Sequence, residues 1–370
     1  MADNKDKKVL NVPALRFPEF SREWKRHKLS EICSFYSGGT PSSSKKEFYN
    51  GNIPFIRSGE LHKDKTELFI TEDGLNSSAA KLVEIGDLLL ALYGATSGDI
   101  AISKIKGAIN QAILCIRTKQ NKKFIESVWN KHVERLLQTY LQGGQGNLSA
   151  DIVKNIPFYF ADLEEQDKLA NFISLLDERI STQNKIIEKL ETLIKGIVET
   201  VISSQKPNTL IKNCLECNSS TLQESQVAET GTFSVYGATG ISGYTETADI
   251  NGESILIIKD GSSVGIVKFV TGEYSYIGTL NSLIAKDGYC LKYIYFALQR
   301  FSFEPYKTGM AIPHIYFKDY GKAKIYCPSL SLQTLIAQKL SLIENKMEVE
   351  KRIILCYQLQ KSYLLSRMFI

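Results

Sequence analysis

The chain has 370 residues, 43% of them apolar, with a formal net charge of +5, which is enough material for two domain cores. No apolar run approaches 18 residues, and the start Met1-Ala2-Asp3-Asn4-Lys5-Asp6-Lys7-Lys8 has no apolar stretch behind its charges, which argues against a membrane span or a secretory leader. Seven cysteines, an odd number at wide intervals, point to a reducing cytoplasm rather than a disulfide framework.

Residues 1–23 read as a basic N-terminal flank: Met1 to Ser30 carries eight Lys or Arg against four Asp or Glu. Residues 24–151 read as a turn-rich α+β head. Its first loop, Ser37-Gly38-Gly39-Thr40-Pro41-Ser42-Ser43-Ser44-Lys45-Lys46, joins glycines that bare backbone N–H groups to hydroxyls and two lysines, a composition suited to phosphate oxygens as well as to an ordinary turn. Strand-like Ile53-Pro54-Phe55-Ile56 then runs into Arg57-Ser58-Gly59-Glu60, and the apolar run Glu84 to Leu92 runs into Tyr93-Gly94-Ala95-Thr96-Ser97. Asn110-Gln111 precedes a further strand-like run, Ala112 to Ile116, and a helix from about Lys123 to Gln142 closes the head. Arg, Asn, Gln, Ser and Thr side chains at strand ends can each bond base edges in a major groove.

Residues 152–204 read as a long helix. Leu169, Ile173, Leu176, Ile180, Gln183, Ile187, Leu190, Ile194, Ile197 and Val201 step by four and three, the seam of a coiled coil interrupted only by Gln183. A run from about Leu163 to Ser203 gives roughly 60 Å at 1.5 Å per residue, more than a compact core needs. Asp162 to Ser203 holds nine acids against five bases, so this helix is expected to face another protein rather than a phosphate backbone. The stretch Ser203-Ser204-Gln205-Lys206-Pro207-Asn208 reads as a linker.

Beyond it the chain repeats itself. A shift of 167 positions carries Tyr159, Leu163, Gln166, Ala170, Ser174 and Leu175 onto Tyr326, Leu330, Gln333, Ala337, Ser341 and Leu342, and Gly94 to Gly98 onto Gly261 to Gly265. Two copies of one unit are implied, with internal pseudo-two-fold symmetry like that of a homodimer. The second head, residues 205–318, shows strand-like Ser254–Ile258, Gly265–Val270 and Ser282–Ala285 and a helix from Leu291 to Phe301. Its candidate contact groups are Tyr236, Gly237 and Thr239, then Lys259, Ser262 and Ser263, then Asn281 and Lys307. Residues 319–370 read as the second long helix, with Ile336, Leu340, Ile343, Met347, Glu350, Ile354 and Tyr357 as its seam and Lys361 further along it. Glu350 matches Gln183, a shared polar seam position of the kind that sets register. Antiparallel pairing of the two helices suits the two-fold arrangement.

The chemistry of catalysis is not legible anywhere. Cys214 and Cys217 form the lone CxxC with no second pair for zinc, so no metal is expected. There is no phosphate loop, no base-methylation tetrapeptide and no histidine pair; His27, His62, His132 and His314 lie far apart, and His314, which falls on Asn147 under the shift, could instead contact DNA.

Ser37 to Ser42 followed by Asn50-Gly51-Asn52-Ile53-Pro54-Phe55-Ile56-Arg57-Ser58-Gly59-Glu60-Leu61, then Gly86-Asp87, Tyr93 to Gly98 and Asn110-Gln111-Ala112, resemble the target recognition domain of type I restriction-modification specificity subunits. Leu163-Glu164-Glu165-Gln166 leading into a heptad helix, Val235 to Gly240, Asn281-Ser282-Leu283 and Leu330-Ser331-Leu332-Gln333 resemble the same family. The resemblance implies two recognition domains, each reading one half of a bipartite double-stranded DNA site, and two helices that set the gap and dock two methyltransferase subunits. It also implies a non-catalytic chain without a cofactor of its own: S-adenosylmethionine, ATP and Mg would sit on the methyltransferase and restriction/translocase subunits. The second head departs from the pattern by lacking the Gly-Gly-Thr-Pro loop and the Ile-Pro-Phe-Ile segment, so the two heads are expected to read different sequences. A coiled-coil scaffold without DNA specificity, and a specificity subunit with a degenerate second half, are the alternatives.

Overall fold

The computed structural model describes residues 10–141 and 147–370. They form two compact units: one holds the residues up to Thr182 together with Ile354–Ile370, and the other holds Gln183–Ile353. Each unit therefore combines one head with the tail of the other copy's long helix. The linear division at residues 204 and 318 follows the repeat, whereas compaction cuts both helices near their middles.

In the first unit, strands β1 (Lys25–Lys28) to β10 (Pro157–Phe160) make three small sheets. The central one has the order β2 (Cys33–Ser37), β9 (Ile113–Thr118), β6 (Leu88–Ala91), β7 (Ile100–Ile102), all antiparallel. Beside it lies β4 (Phe69–Ile70), β3 (Tyr49–Ile56), β8 (Gly107–Ile109), β5 (Lys81–Val83), in which β3 and β8 run parallel. The expected long strand Glu84 to Leu92 is shorter, because Asp87 Oδ2 accepts the Glu84 N–H and Gly86 turns at φ 89°, leaving β6 to start at Leu88. Helix α1, Lys122–Leu141, covers the central sheet; Gln142, the expected last residue of that helix, lies outside the described residues. Phe124 and Trp129 from α1 are buried in one core with Leu88, Leu90, Leu114 and Ile116.

The same core takes in Leu169, Ile173 and Leu176 of helix α2 (Leu163–Val198), Leu364 and Met368 of the C-terminal helix, and Phe369 just beyond that helix. Fully burying one such side chain contributes about 1.5–3 kcal/mol, so this seam is a principal support of the first head. Asp177 bonds Lys361 at 2.5 Å and Lys123 at 2.8 Å, and Arg179 donates to the Tyr357 hydroxyl at 3.3 Å. Positions rise along one helix as they fall along the other, so the pairing is antiparallel. Burial pushes the Asp177 carboxyl up, but the two lysines outweigh it and hold its proton affinity below the ordinary value. The lysine in the seam is thus neutralised rather than disruptive.

In the second unit the strands β11 (Thr209–Leu210), β12 (Leu215–Ser219), β13 (Phe233–Gly237), β14 (Gly240–Thr245), β15 (Ile250–Ile258), β16 (Val267–Tyr276), β17 (Leu280–Ala285) and β18 (Lys324–Ile325) surround helix α3, Leu291–Gln299. Six of them form one sheet in the order β12, β17, β15, β16, β13, β14, in which β13 and β16 run parallel. Helix α4, Leu330–Met368, begins in this unit, and α2 ends in it through a π turn at Glu199–Ser203. Ile194, Val198 and Ile202 share a core with Tyr293, Phe296, Ile336 and Leu340. Along both helices every named seam position from Leu169 to Ile194 and from Ile336 to Tyr357 is buried or half-buried; Ile180, Gln183, Ile187, Leu190, Ile343, Met347 and Tyr357 are the half-buried ones.

A glutamine repeats with its environment. Gln166 is buried, donates to the Ala161 carbonyl at 2.7 Å and accepts the Asn121 N–H just ahead of α1 at 3.1 Å. Gln333 donates to the Pro328 carbonyl at 2.8 Å and accepts the Cys290 N–H just ahead of α3 at 3.0 Å. Each side chain clamps a head helix to the long helix by satisfying two backbone groups that would be costly to bury alone.

The polar seam pair behaves differently. Glu350 is 3% exposed and pairs with Lys346, yet its Oε2 and the Gln183 Oε1 are buried without hydrogen-bond partners among the described residues. Glu350→Leu is therefore expected to stabilise the second unit by roughly 1 kcal/mol, raising the midpoint of a thermal melt by a few degrees. A lower midpoint would show that the carboxylate is net stabilising.

Candidate nucleic-acid interface

Strand topology gathers four of the sequence-predicted loops at one end of the first head. Ser37 ends β2 opposite Leu114, Ala91 ends β6 opposite Ile113, and Ile56 ends β3 beside Ile109 of β8. The chain therefore leaves this edge at Gly38, Leu92, Arg57 and Asn110 together. Backbone bonds tie the exits: the Gly38 N–H donates to the Asn110 carbonyl at 3.3 Å, and the Leu92 N–H donates to the Ala112 carbonyl at 2.8 Å. Thr40 Oγ1 donates to Gln111 Oε1 at 2.6 Å, and Asn110 Oδ1 accepts the Ala112 N–H at 3.1 Å.

Several predicted roles change in this setting. Gly38 does not bare its N–H to a phosphate, because Asn110 uses it, and a Cβ there would lie 1.8 Å from the Ile109 carbonyl oxygen; Gly39 is likewise pressed against Ala79. Close backbone approach is what demands these glycines. Lys45 and Lys46 precede β3 and Arg57 follows it, at opposite ends of a strand that is bulged between Tyr49 and Ile53, both of which pair with Ile70. Ser42 and Ser44 hydroxyls bond one another at 2.8 Å, and Lys45 lies 5.0 Å over the Phe48 ring, so this arm is a separate patch. Of the remaining group, Ser58 and Gly59 form a 3₁₀ turn after Arg57, Gly94 and Thr96 stand in the turn after Tyr93, and Ser97 Oγ donates to the Leu92 carbonyl at 2.9 Å.

Arg57 is committed to carboxylates. It donates to Glu60 from its backbone N–H at 3.1 Å and its side chain at 3.1 and 3.3 Å, and to Glu67 at 3.1 Å. Burial pushes the Glu60 carboxyl up, but the bonds from Arg57, Thr66 and the Glu67 N–H more than offset this and hold it at about 2. A carboxylate held below its unfolded value stabilises the fold above that value and loses this contribution as pH falls from about 4.5 towards 2. Glu60→Gln is expected to destabilise the first unit by on the order of 2 kcal/mol at pH 6, with the gap from the parent closing in urea melts as pH falls to 2.5. A gap that stays constant with pH would show that the carboxylate charge is not the cause.

The second head repeats the gathering with other residues. The Ile277 N–H donates to the Tyr236 carbonyl at 2.9 Å and the Lys259 N–H to the Thr279 carbonyl at 3.0 Å, so a short loop brings Tyr236 and Lys259 together. Lys259 to Gly261 in turn holds the segment Lys307 to His314: the Gly261 N–H donates to the Pro313 carbonyl and the Ile315 N–H to the Lys259 carbonyl, both at 2.9 Å. Ser262, Ser263 and Thr239 are exposed, while Gly237 is buried against Ser242. Asn281 is not a surface group: it is 5% exposed inside β17, where its Oδ1 accepts the Ser219 hydroxyl at 2.9 Å. β17 lies between β12 and β15, and Leu280 to Leu283 are all buried, so both faces of the strand are covered there and a side chain on either face is enclosed.

Groups not singled out from the sequence join both sites. His62 bonds Asp99 at 2.8 Å beside the Tyr93 to Ser97 turn, and this bond pushes the imidazole's proton affinity up. Lys268 lies 4.6 Å over the Tyr236 ring, Lys318 lies 5.0 Å over Tyr316, and Tyr316 meets His314 edge-on at 5.0 Å. The signal for Lys268 was available, since a lone lysine on the strand-like run Gly265–Val270 interrupts its apolar pattern. Among the described residues no group of three or more His, Cys, Asp or Glu could hold a metal, and no helix is long and apolar enough to cross a membrane.

This architecture has known counterparts. The chain is 28% identical over 187 residues to the Escherichia coli "Type I restriction enzyme EcoR124I/EcoR124II specificity subunit", covering 48% of this chain and 45% of that protein. It is 21% identical over 348 residues to the E. coli "Type I restriction enzyme EcoprrI specificity subunit", covering 84% of both. For the first of these the match spans about half of the relative's length. The fold matches the crystal structure of the type I restriction-modification S subunit from M. genitalium with a TM-score of 0.68 at 17% identity, covering 97% of this chain and 99% of that one. Residues 21–192 and 211–355 match the profile described as "Type I restriction modification DNA specificity domain", and with most of both repeats so matched the chain belongs to that family.

Proposed function

We propose that this protein is the DNA-recognition subunit of a type I restriction-modification complex, each head reading one half of a bipartite duplex target. The observation that carries this is the convergence of polar loops from separate strands at one end of the first head, with a counterpart built from different residues in the second. Loops Ser37–Thr40, Arg57–Gly59, Tyr93–Ser97 and Asn110–Gln111 read one half-site; Tyr236–Thr239, Lys259–Ser263 and Lys307–His314 read the other. Division into recognition domains at 24–151 and 205–318 and spacer helices at 152–204 and 319–370 follows the same reading. Different side chains in the two loop sets mean different bases, so the target is asymmetric.

The helices set the spacing and dock two methyltransferase subunits, through which restriction/translocase subunits join. In the second unit Leu335, Leu342 and Val349, seven residues apart, expose their side chains on the outside of α4, a stripe suited to a partner helix. The chain itself is non-catalytic, and S-adenosylmethionine, ATP and Mg belong to its partners.

The test is to co-express the chain with its methyltransferase subunit in a host free of adenine methylation and map modified adenines by single-molecule sequencing. One asymmetric motif in two blocks around a fixed gap is expected. A soluble complex of the two proteins that modifies no motif would leave a scaffold or a degenerate recognition domain as the better reading.

A further inference from the structure

The second head carries an apolar tip that neither its core nor its polar loops account for. Met310 is fully exposed and Ile312 is 66% exposed, two positions apart on the turn between Thr308 and His314. The turn is closed by two backbone bonds, the Thr308 N–H to the His314 carbonyl at 2.9 Å and the His314 N–H to the Thr308 carbonyl at 2.8 Å. Gly309 makes it tight: its φ is 88°, and a Cβ there would lie 2.4 Å from the Ile312 carbonyl oxygen. Bonds from Gly261 to Pro313 and from Ile315 to Lys259 pin the hairpin to the loop that holds Ser262 and Ser263. Two large apolar side chains are thus held in water at the end of a short, braced projection.

Resting on the proposed reading of DNA by this head, we infer that Met310 and Ile312 form a wedge that enters a base step of the second half-site, partly unstacking it and kinking the duplex. Area decides against a protein partner. A stable protein interface needs about 800 Å² per side, far more than two side chains offer, whereas one or two apolar side chains suffice for a base-step wedge. The surroundings agree with a duplex: Thr308, Ser262 and Ser263 present hydroxyls, and Lys318 over Tyr316 adds a cation beside the His314 ring. Lys307 pairs with Glu304 and Lys259 with Asp260, so the immediate rim is polar rather than strongly basic, and the contact relies on insertion more than on phosphate attraction. Under the 167-residue shift Met310 and Ile312 fall on Gly143 and Gln145, so by sequence the first copy carries no such wedge. The kink belongs to one half-site.

The experiment uses the full chain in complex with its methyltransferase subunits and a duplex bearing the bipartite target. Dye pairs flank either the first or the second half-site, and the distance within each pair is read by energy transfer. A bend of about 20–90° is expected across the second half-site and none of that kind across the first. Met310→Ala/Ile312→Ala should abolish the bend and weaken specific binding about tenfold for each side chain removed. Because both side chains are exposed, the melting midpoint of the variant should match the parent's, and Met310→Leu should keep the bend. A parent that binds its target selectively but without this bend, or a double alanine variant that bends it equally, overturns the wedge alone. A parent with no sequence-selective binding overturns the recognition role and the wedge together.

Discussion

Gly38→Ala should cost the first unit roughly 3 kcal/mol or more, because its new methyl would lie 1.8 Å from the Ile109 carbonyl oxygen and 2.5 Å from the carbonyl carbon. Both obstacles are backbone, held by the parallel pairing of β3 with β8 and by the antiparallel pairing of β8 with β5, so neither can rotate aside. The expected readout is an earlier transition of the first unit in a urea melt, with methylation lost at targets that depend on the first half-site. A phosphate-cradling glycine would give another pattern, weaker DNA binding at unchanged stability, and that result would reinstate the cradle. Gly94→Ala is the control: nothing stands within 4 Å of a Cβ there, and only its φ of 87° penalises a side chain, at about 1 kcal/mol.

Trp129→Ala should cost about 3–5 kcal/mol, the usual range for emptying a fully buried aromatic site. The indole also has a directional task. Its Nε1 donates to the Gly98 carbonyl at 2.7 Å, and Gly98 closes the Tyr93 to Ser97 turn by donating its N–H to Ala91 at 2.9 Å. Trp129→Phe separates the two effects, since it keeps most of the volume but leaves a buried carbonyl without its donor, at roughly 1–3 kcal/mol. With that variant, recognition of the first half-site should weaken while the second half-site is read as before. Equal weakening at both half-sites, measured with duplexes altered in one half at a time, would show that the indole bond does not act through the turn.

Much of the architecture was legible in the residue order because it rests on local periodicity. A four-three seam has one economical solution, a long helix with a buried stripe, and burial follows it from Leu169 to Ile197; Val201, the last expected seam position, is exposed because the π turn Glu199–Ser203 shifts the helical phase there. Gln166 and Gln333 sit at matching places in the repeat, and both turn out to clamp a head helix. Single loops were less legible. Composition identified the glycine and hydroxyl stretches of the first head as loops, although Tyr236 and Gly237 end β13 and Gly240 begins β14; which loops meet depends on strands far apart in the chain: β3 with β8, β2 with β9, β6 with β9. Arg57 illustrates the cost. Its partners, Glu60 and Glu67, are close in sequence, yet nothing in their spacing says that one carboxylate is 3% exposed and the other on the surface.

Residue order by itself determined the duplication, the two heads, the two long helices and the polar interruption shared by Gln183 and Glu350, because each of these is a pattern repeated along the chain. Tertiary structure alone decided that each head is completed by the tail of the other copy's helix, with Leu364, Met368 and Phe369 in the first core and Ile194, Val198 and Ile202 in the second. It alone buried Asn281, took the Gly38 N–H for Asn110 and raised Met310 and Ile312 into solvent on a braced turn. The physical reason is one of range. Helical periodicity acts over three or four residues and is written locally, whereas strand pairing, burial and close backbone approach join groups tens to hundreds of residues apart and exist only once the chain has closed on itself.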